Sequence, residues 1–486
     1  MFFRSNFINT VIKAKNETYV FWTTLVFYFT LWFINPGNKI IVASFVFLIL
    51  IYYYKIKDIR ISLLLAYLAS LIVFTGKRYL IELVAPGFFP EDVFPQGHVL
   101  FFIISPKHIL IFFILLLLIK DFIKGKFKKF VINRVDVLVF LYFVWIVISD
   151  ILGSIRPEIS LLFSVSGLHI FILYTALRVY RKSRVGFLAM AIALFASLIV
   201  FESLISLQQF MGRSPVFKNI EAQVDIDYFG HVADEPQFRY RPSGTFNHAN
   251  ELGMWLSFWL SVIFVYIFKK SRYFLFVPLI LGTTALTITL SRSSWLGFGT
   301  SIMFILFVLE KVKKISLPQI LAKHISIFTM LSLILTIFFI FPRLEKSLYT
   351  FSEGGGLLRY HQIQESIHLI VQNPFFGVGS GMDVLAGLML KPSSVFSSVA
   401  LSVHNWYILI AVGHGIPALA LFLSYSLIWL RRQISLIFKE KIVNVVDYVR
   451  IGFVGGLFTL LIVGFFQPFI GDELILLSFA ILGKDK

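Results

Sequence analysis

The sequence predicts an all-α, polytopic integral membrane helix bundle of about fourteen transmembrane helices, and three observations lead there. Of 486 residues, 58% are hydrophobic and only 14% are charged, where a soluble chain carries about 25% charged residues. Apolar runs of the length needed to cross about 30 Å of hydrocarbon follow one another almost end to end. Lys and Arg collect in alternate connections between those runs, as the positive-inside bias requires.

The runs lie near 19–35, 40–54, 61–76, 98–119, 135–153, 160–177, 185–208, 247–268, 273–290, 293–310, 324–342, 404–430, 450–466 and 473–483. The shortest, 40–54 and 473–483, give the weakest signal. No soluble domain or internal repeat interrupts them, so 1–486 reads as a single membrane domain. Arg4, Lys13 and Lys15 precede the first run and no small-residue cleavage site follows it, so it reads as a retained helix rather than a signal peptide. With the N-terminus in the cytoplasm, alternation puts most of the 44 Lys and Arg on inner connections and most of the 26 acids near outer ends. Both termini are then cytoplasmic. The net charge of +18 belongs to inner connections and asks for no nucleic acid. Cysteine is absent, which excludes disulfides, a thiolate nucleophile and thiolate metal sites. No compact Asp, Glu and His cluster has metal-ligand spacing, so neither metal nor other cofactor is expected.

Two outer loops are long, 209–246 and 342–403. Loops beyond about 12–15 residues are usually functional or disordered, and these are rich in aromatic, Gly and charged residues. They hold Arg213, Lys218, Arg239, Arg241, Arg343, Lys346, Arg359 and Lys391; with Arg292 these supply most of the outward positive charge. Positive charge that runs against the topology bias is most simply explained by an anionic ligand on the outer face.

Four segments could carry chemistry. Arg239-Tyr-Arg241-Pro-Ser-Gly-Thr-Phe-Asn247-His248-Ala-Asn250 enters the eighth span. Thr245 or Asn247 can cap that helix, and its outward N-terminus favours an anion. A capped helix with Arg241 reaching to lipid headgroups would leave the same pattern. Ser291-Arg292-Ser293-Ser294-Trp295 opens the tenth span, with Arg292 as headgroup anchor or ligand contact. In Arg359-Tyr-His-Gln-Ile-Gln-Glu-Ser-Ile-His-Leu-Ile, Leu358, Ile363, Ile367 and Ile370 recur near helical spacing. Arg359, Gln362 and Ser366 share the more polar side. That helix should stop before Asn373-Pro374, and Gly377-Val-Gly379-Ser-Gly381 after it reads as a tight loop rather than a dinucleotide fingerprint. His404-Asn405-Trp406-Tyr407 enters the twelfth span. His404 can act as a base near neutral pH or be an interfacial His beside a Trp/Tyr belt. Gly413-His414-Gly415-Ile416-Pro417 should kink that span, with His414 hydrogen-bonded inside the bundle. Three inward-running helices would thus begin with polar motifs on one face, two near Arg and one near His.

From Arg239 to Leu421 the chain resembles the O-antigen ligase and O-antigen polymerase superfamily of bacterial membrane glycosyltransferases. The resemblance rests on Arg241-Pro-Ser-Gly-Thr-Phe with Asn250, Ser291-Arg292, Asn373-Pro-Phe-Phe-Gly377-Val-Gly379, and His404-Asn405 with Gly415. The ligase pattern ends in Gly, Thr or Tyr where this chain has Ala418, a departure that bears on ligase against polymerase. The resemblance implies a glycan donor on undecaprenyl diphosphate, and an acceptor hydroxyl on lipopolysaccharide core (ligase) or on another lipid-linked repeat (polymerase). It implies a bacterial inner-membrane enzyme with a periplasmic site, and neither metal nor nucleotide sugar. Arg241, Arg292 and Arg359 would hold the diphosphate, with Arg239, Asn250 and Asn405 as further substrate contacts, and His404 would lie near the acceptor hydroxyl. A lipid-linked oligosaccharide flippase or exporter recognises the same diphosphate. It should carry ionisable residues inside its spans, whereas here polar residues gather at outer helix ends. A receptor-like protein without turnover would have no use for the Arg and His set.

Overall fold

The computed structural model describes residues 2–72, 82–84, 101–103, 106–126, 131–180, 184–213, 216, 241–246, 248–267, 275–313, 355–390, 402–439, 445–468 and 472–482. Arg239, Asn247, Lys218, Arg343, Lys346, Lys391 and the expected span at 324–342 lie outside these residues, as does much of both outer loops. The described elements are α1 (Phe2–Ile34), α2 (Asn38–Ile56), α3 (Ile59–Ser70), β1 (Glu82–Val84), β2 (Phe101–Ile103), α4 (Pro106–Ile123), α5 (Arg134–Leu152), α6 (Pro157–Val179), α7 (Arg184–Gly212), α8 (Ala249–Ile267), α9 (Phe276–Ile288), α10 (Arg292–Lys313), α11 (Gly355–Gln372), α12 (Asp383–Leu390), α13 (Trp406–Lys439), α14 (Val445–Val463) and α15 (Asp472–Leu482).

The fold is helical, and seven of the described helices are long and apolar enough to cross a membrane. Local chemistry sets several ends. Asp58 accepts from the Arg60 and Ile61 amides to start α3, and Asn133 with Asp136 forms a reciprocal capping box on α5. The all-α expectation needs one amendment: β1 pairs antiparallel with β2, Glu82 opposite Ile103. The run expected at 98–119 is therefore helical only from Pro106, whose fixed φ and missing N–H suit the first turn. The first helix begins at Phe2, well before the apolar run at 19–35.

α7 is nearly all buried and packs against α1, α3, α8 and α9. α14 lies against α8 and α10, closely enough that a Cβ on Gly452 would come 2.8 Å from Val262 Cα and one on Gly456 2.7 Å from Phe258. Without water to drive helices together, such small-residue contact is what holds them. A second group places α5 beside α6 and α13, and α6 beside α4 and α15. At one end of that group Arg60 pairs with Asp121 at 2.6 Å, and buried Arg178 pairs with Asp136 at 2.6 Å. Removing one partner of such a buried pair costs about 3–5 kcal/mol. These residues sit where alternation put inner connections.

α13 is not one rod. Gly415 has φ 78° and ψ 174°, a conformation that favours glycine, and Pro417 has no N–H to continue the ladder. The Trp406 ring lies 4.4 Å from that of Phe422, whereas sixteen residues of straight helix would separate them by about 24 Å. The arm 406–414 is therefore folded back antiparallel to the arm 416–439. The glycine loop after α11 satisfies the break: Val378 N donates to Val412 O at 2.8 Å, Gly379 N to Gly413 O at 2.9 Å, and Ile416 N to Pro374 O at 2.8 Å. This corrects the expected crossing at 404–430. Only the arm 416–439 has the length to cross, and His404 stands at the foot of an oppositely directed arm rather than at the mouth of an inward-running helix.

Candidate active site

The first basic residue is held by α7. Gln209 Oε1 accepts from Ser243 N at 3.2 Å and Gly244 N at 2.9 Å, and Gln209 Nε2 donates to Gly244 O at 2.9 Å. Glu202, buried in the apolar body of α7, accepts from Thr245 N at 2.9 Å and from the Thr245 hydroxyl at 2.6 Å. Gly244 takes φ 62°, and a Cβ there would meet Glu202 Oε2 at 2.2 Å. The clamp fixes the segment 241–246 ahead of α8. Arg241 then donates from Nε to Thr289 O at 3.0 Å and from Nη2 to Asn250 Oδ1 at 2.6 Å. Asn250 is thus a partner of Arg241, and its side-chain carbonyl orients the guanidinium.

Arg292 is the exposed first residue of α10. Arg359, on α11, is within reach of its charge: burial first, and Arg292 second, push the Arg359 pKa below that of a free guanidinium. Neither arginine has a carboxylate or hydrogen-bond partner among the described residues. α11 follows its apolar spacing only in part: Leu369 is buried and Ile363 and Ile370 are half-buried, while His361, Gln364 and His368 are exposed. Gln362 and Ser366 are completely buried while Ile367, Val371 and, just beyond the helix, Phe375 are exposed. The polar stripe faces the bundle, and it faces His404.

His404 Nδ1 lies 3.2 Å from Gln362 Oε1. With that carbonyl oxygen as acceptor, Nδ1 carries the proton and Nε2 presents a lone pair. Burial, then the Arg359 charge, push the His404 pKa down to about 4. The ring is therefore neutral at pH 7 and competent as a base. His248, just ahead of α8, accepts from Asn250 N at 3.0 Å. Its pKa falls to about 3 through burial and then the charges of Arg241, His404 and Arg359. Arg241, His248, Arg359 and His404 thus share one electrostatic neighbourhood, and Arg292 joins it through Arg359. Such a group of fixed cations with a neutral imidazole can bind a polyanion and accept a proton beside it.

Residues 274–423 match the family model described as O-antigen ligase. That segment of the chain is similar to the O-antigen ligase family. No curated protein matches it. The O-antigen ligase segment contains Arg292, Arg359, His404, Asn405 and the Gly415 break; Arg241 and Asn250 lie before it and reach it through Thr289. The superfamily is a class of membrane glycosyltransferases, in keeping with the apolar helices.

Within the matched segment Asn405 holds the local structure: its Oδ1 accepts from Ile408 N at 3.1 Å, capping the arm 406–414, and its Nδ2 donates to Phe465 O at 3.4 Å. His414 is hydrogen-bonded inside the bundle, as expected, with Nδ1 2.8 Å from Ser149 Oγ and Nε2 3.3 Å from Ser380 Oγ. Asp150 accepts from Ser380 N at 2.8 Å, from Ser380 Oγ at 2.9 Å and from Ser164 Oγ, so the glycine loop is tied to α5, α6 and α13 together. Sequence reasoning missed Glu202, Gln209 and His248 as parts of the site. Glu202 had a signal, an ionisable residue in an apolar run; Gln209 lies two helical turns on and so on the same face.

Proposed function

We propose that the protein is a metal-independent transferase that moves a glycan from undecaprenyl diphosphate to an acceptor hydroxyl at the periplasmic face of the bacterial inner membrane. The observation that carries this reading is Arg359. Its charge is opposed by burial and by Arg292, with no accompanying carboxylate among the described residues. A diphosphate is the ligand that relieves this, and it suits planar guanidinium groups. Arg241, Arg292 and Arg359 pair with the phosphate oxygens and stabilise the charge that builds on the leaving group. Arg239, two residues from Arg241, is a further phosphate contact, and Asn250 and Asn405 position the groups that touch substrate. His404 Nε2 takes the proton from the acceptor hydroxyl, an effect of about 10²–10⁴-fold. The new bond joins the acceptor oxygen to the anomeric carbon. The bond from that carbon to phosphate breaks, undecaprenyl diphosphate leaves, and the configuration inverts.

The acceptor we favour is lipopolysaccharide core, which makes the protein an O-antigen ligase. His404-Asn405 and Gly415, which fit the ligase pattern, support it. A polymerase, whose acceptor is another lipid-linked repeat, is the second reading, favoured by Ala418 in place of Gly, Thr or Tyr. About fourteen crossings with both termini cytoplasmic complete the proposal. The test uses the purified full chain with undecaprenyl-diphosphate oligosaccharide and a chelator, with and without lipopolysaccharide core. Glycan on the core is expected. Chain growth without core identifies a polymerase. Donor crossing vesicles with no transfer product overturns the catalytic reading in favour of a flippase.

A further inference from the structure

A cavity of about 360 Å³ is lined in part by the segment that carries His404. Its lining includes Asp383 and Ser402, aromatic Phe163, Trp406 and Tyr425, and Ser380 from the glycine loop. Ser402 and Trp406 stand two residues to either side of His404, so the cavity and the cationic cluster share one stretch of chain.

Asp383, the first residue of α12, is 2% exposed. Its Oδ1 accepts from Ser402 Oγ at 3.3 Å, while Oδ2 is buried without a hydrogen-bond partner among the described residues. A buried carboxylate oxygen left without a donor costs about 1–3 kcal/mol or more, so its presence in a cavity wall calls for a ligand that donates. Burial raises the Asp383 pKa, opposed in part by hydrogen bonding from Ser402 and from the Asp383, Val384 and Val403 amides. No Lys or Arg lines the cavity, which makes it unsuited to a diphosphate. Aromatic rings, whose faces carry negative charge, and a few convergent polar groups within an otherwise apolar wall suit the C–H face and the hydroxyl edge of a sugar ring.

We propose that this cavity is a carbohydrate subsite for the acceptor, in which Asp383 accepts a hydrogen bond from a sugar hydroxyl, Ser402 orients Asp383, and the Trp406 ring carries the sugar face. It rests on the transfer reading above in one respect, the assignment of the bound ring to acceptor rather than donor. That assignment follows from the lining, which takes in Ser402 and Trp406 on either side of His404 and none of the three arginines. A ring held there presents a neighbouring hydroxyl to the base while the diphosphate occupies the cationic side.

The test has two measurements on the full chain in nanodiscs. Binding of free neutral saccharides, a hexose and an N-acetylhexosamine, is followed by tryptophan fluorescence, with Trp406→Phe to assign the signal. Transfer kinetics then give separate KM values for acceptor and donor. Asp383→Asn is expected to weaken saccharide binding and raise acceptor KM about tenfold or more. Ser402→Ala is expected to do so about threefold, with donor KM unchanged in both. Because Asp383→Asn could impair folding, Ser402→Ala and Trp406→Phe carry the test if it does. Saccharide affinity that is the same in all three variants, or a rise in donor KM instead of acceptor KM, overturns the subsite and leaves the transfer reading standing. Asp383-dependent saccharide binding in a protein that transfers nothing supports the subsite and defeats the transfer reading.

Discussion

Trp406 and Phe422 touch, ring centroids 4.4 Å apart at 76°, because the helix between them reverses at Gly415. A Cβ at position 415 would stand 2.0 Å from Phe375 O. Gly415→Ala is therefore expected to cost about 3 kcal/mol or more through left-handed strain and overpacking. A thermal melt in detergent checks this; a melting temperature equal to wild type would show that the reversal is not held by that contact.

The clamp on the Arg241 segment gives a second expectation. Glu202→Ala leaves the Thr245 amide without its acceptor, a loss of about 1–3 kcal/mol, and frees Arg241 from its register. Activity should fall with donor KM rising, while the amount of protein in the membrane stays near wild type. Glu202→Gln keeps one acceptor oxygen and should retain part of the activity. Equal activity in Glu202→Ala and wild type would remove Glu202 from the site.

Arg241 uses two edges of its guanidinium, one on Thr289 O and one on Asn250 Oδ1. Lysine keeps the charge and loses that geometry. Arg241→Lys should lower turnover by about 10²–10³-fold, the scale of one lost transition-state donor. Turnover near wild type would sink the diphosphate clamp.

His404 links activity to pH. Its pKa is depressed to about 4, so the base form is complete at neutral pH and is lost as pH falls through about 4. The acid limb of kcat/KM should have its midpoint there. Arg359 contributes to the depression, so Arg359→Gln should move that limb to higher pH as well as weaken donor binding. The same shift bears on folding: unfolded His titrates near 6.5, so this contribution to stability is present above that pH and fades as pH drops toward 4. His404→Ala should lose most turnover while staying in the membrane. A wild-type limb that survives in His404→Ala would assign the titration to another group.

Much of the helical frame was legible in the sequence. Long apolar runs state themselves, and Asp58 and Asn133 mark helix starts by side-chain chemistry that acts over three residues. Three of the basic groups, with His404, could be picked out because positive charge on outer segments conflicts with the topology bias. What could not be read was direction. Gly415 and Pro417 announce a break, but whether the chain bends slightly or turns back depends on Trp406 meeting Phe422, a contact no local pattern encodes. The enclosure of Gln362 and Ser366 on α11 was hidden for a related reason: it depends on packing partners distant in sequence, His404 among them. Spacing also does not tell that Asn250 holds Arg241 or that Asn405 reaches Phe465.

The orientation of α11 bears on how this region can be handled. Its outward side is mixed, Ile367 and Val371 beside His361, Gln364 and His368, while Gln362 and Ser366 are enclosed next to Leu369. Its roll angle is chosen by what surrounds it as much as by what lies beneath. Excised and placed in water, the segment 355–390 would have every incentive to rotate about its axis, hiding Ile367 and Val371 and turning Gln362 and Ser366 out. A fragment of the loop could then be perfectly helical and still present the wrong side of itself to any ligand.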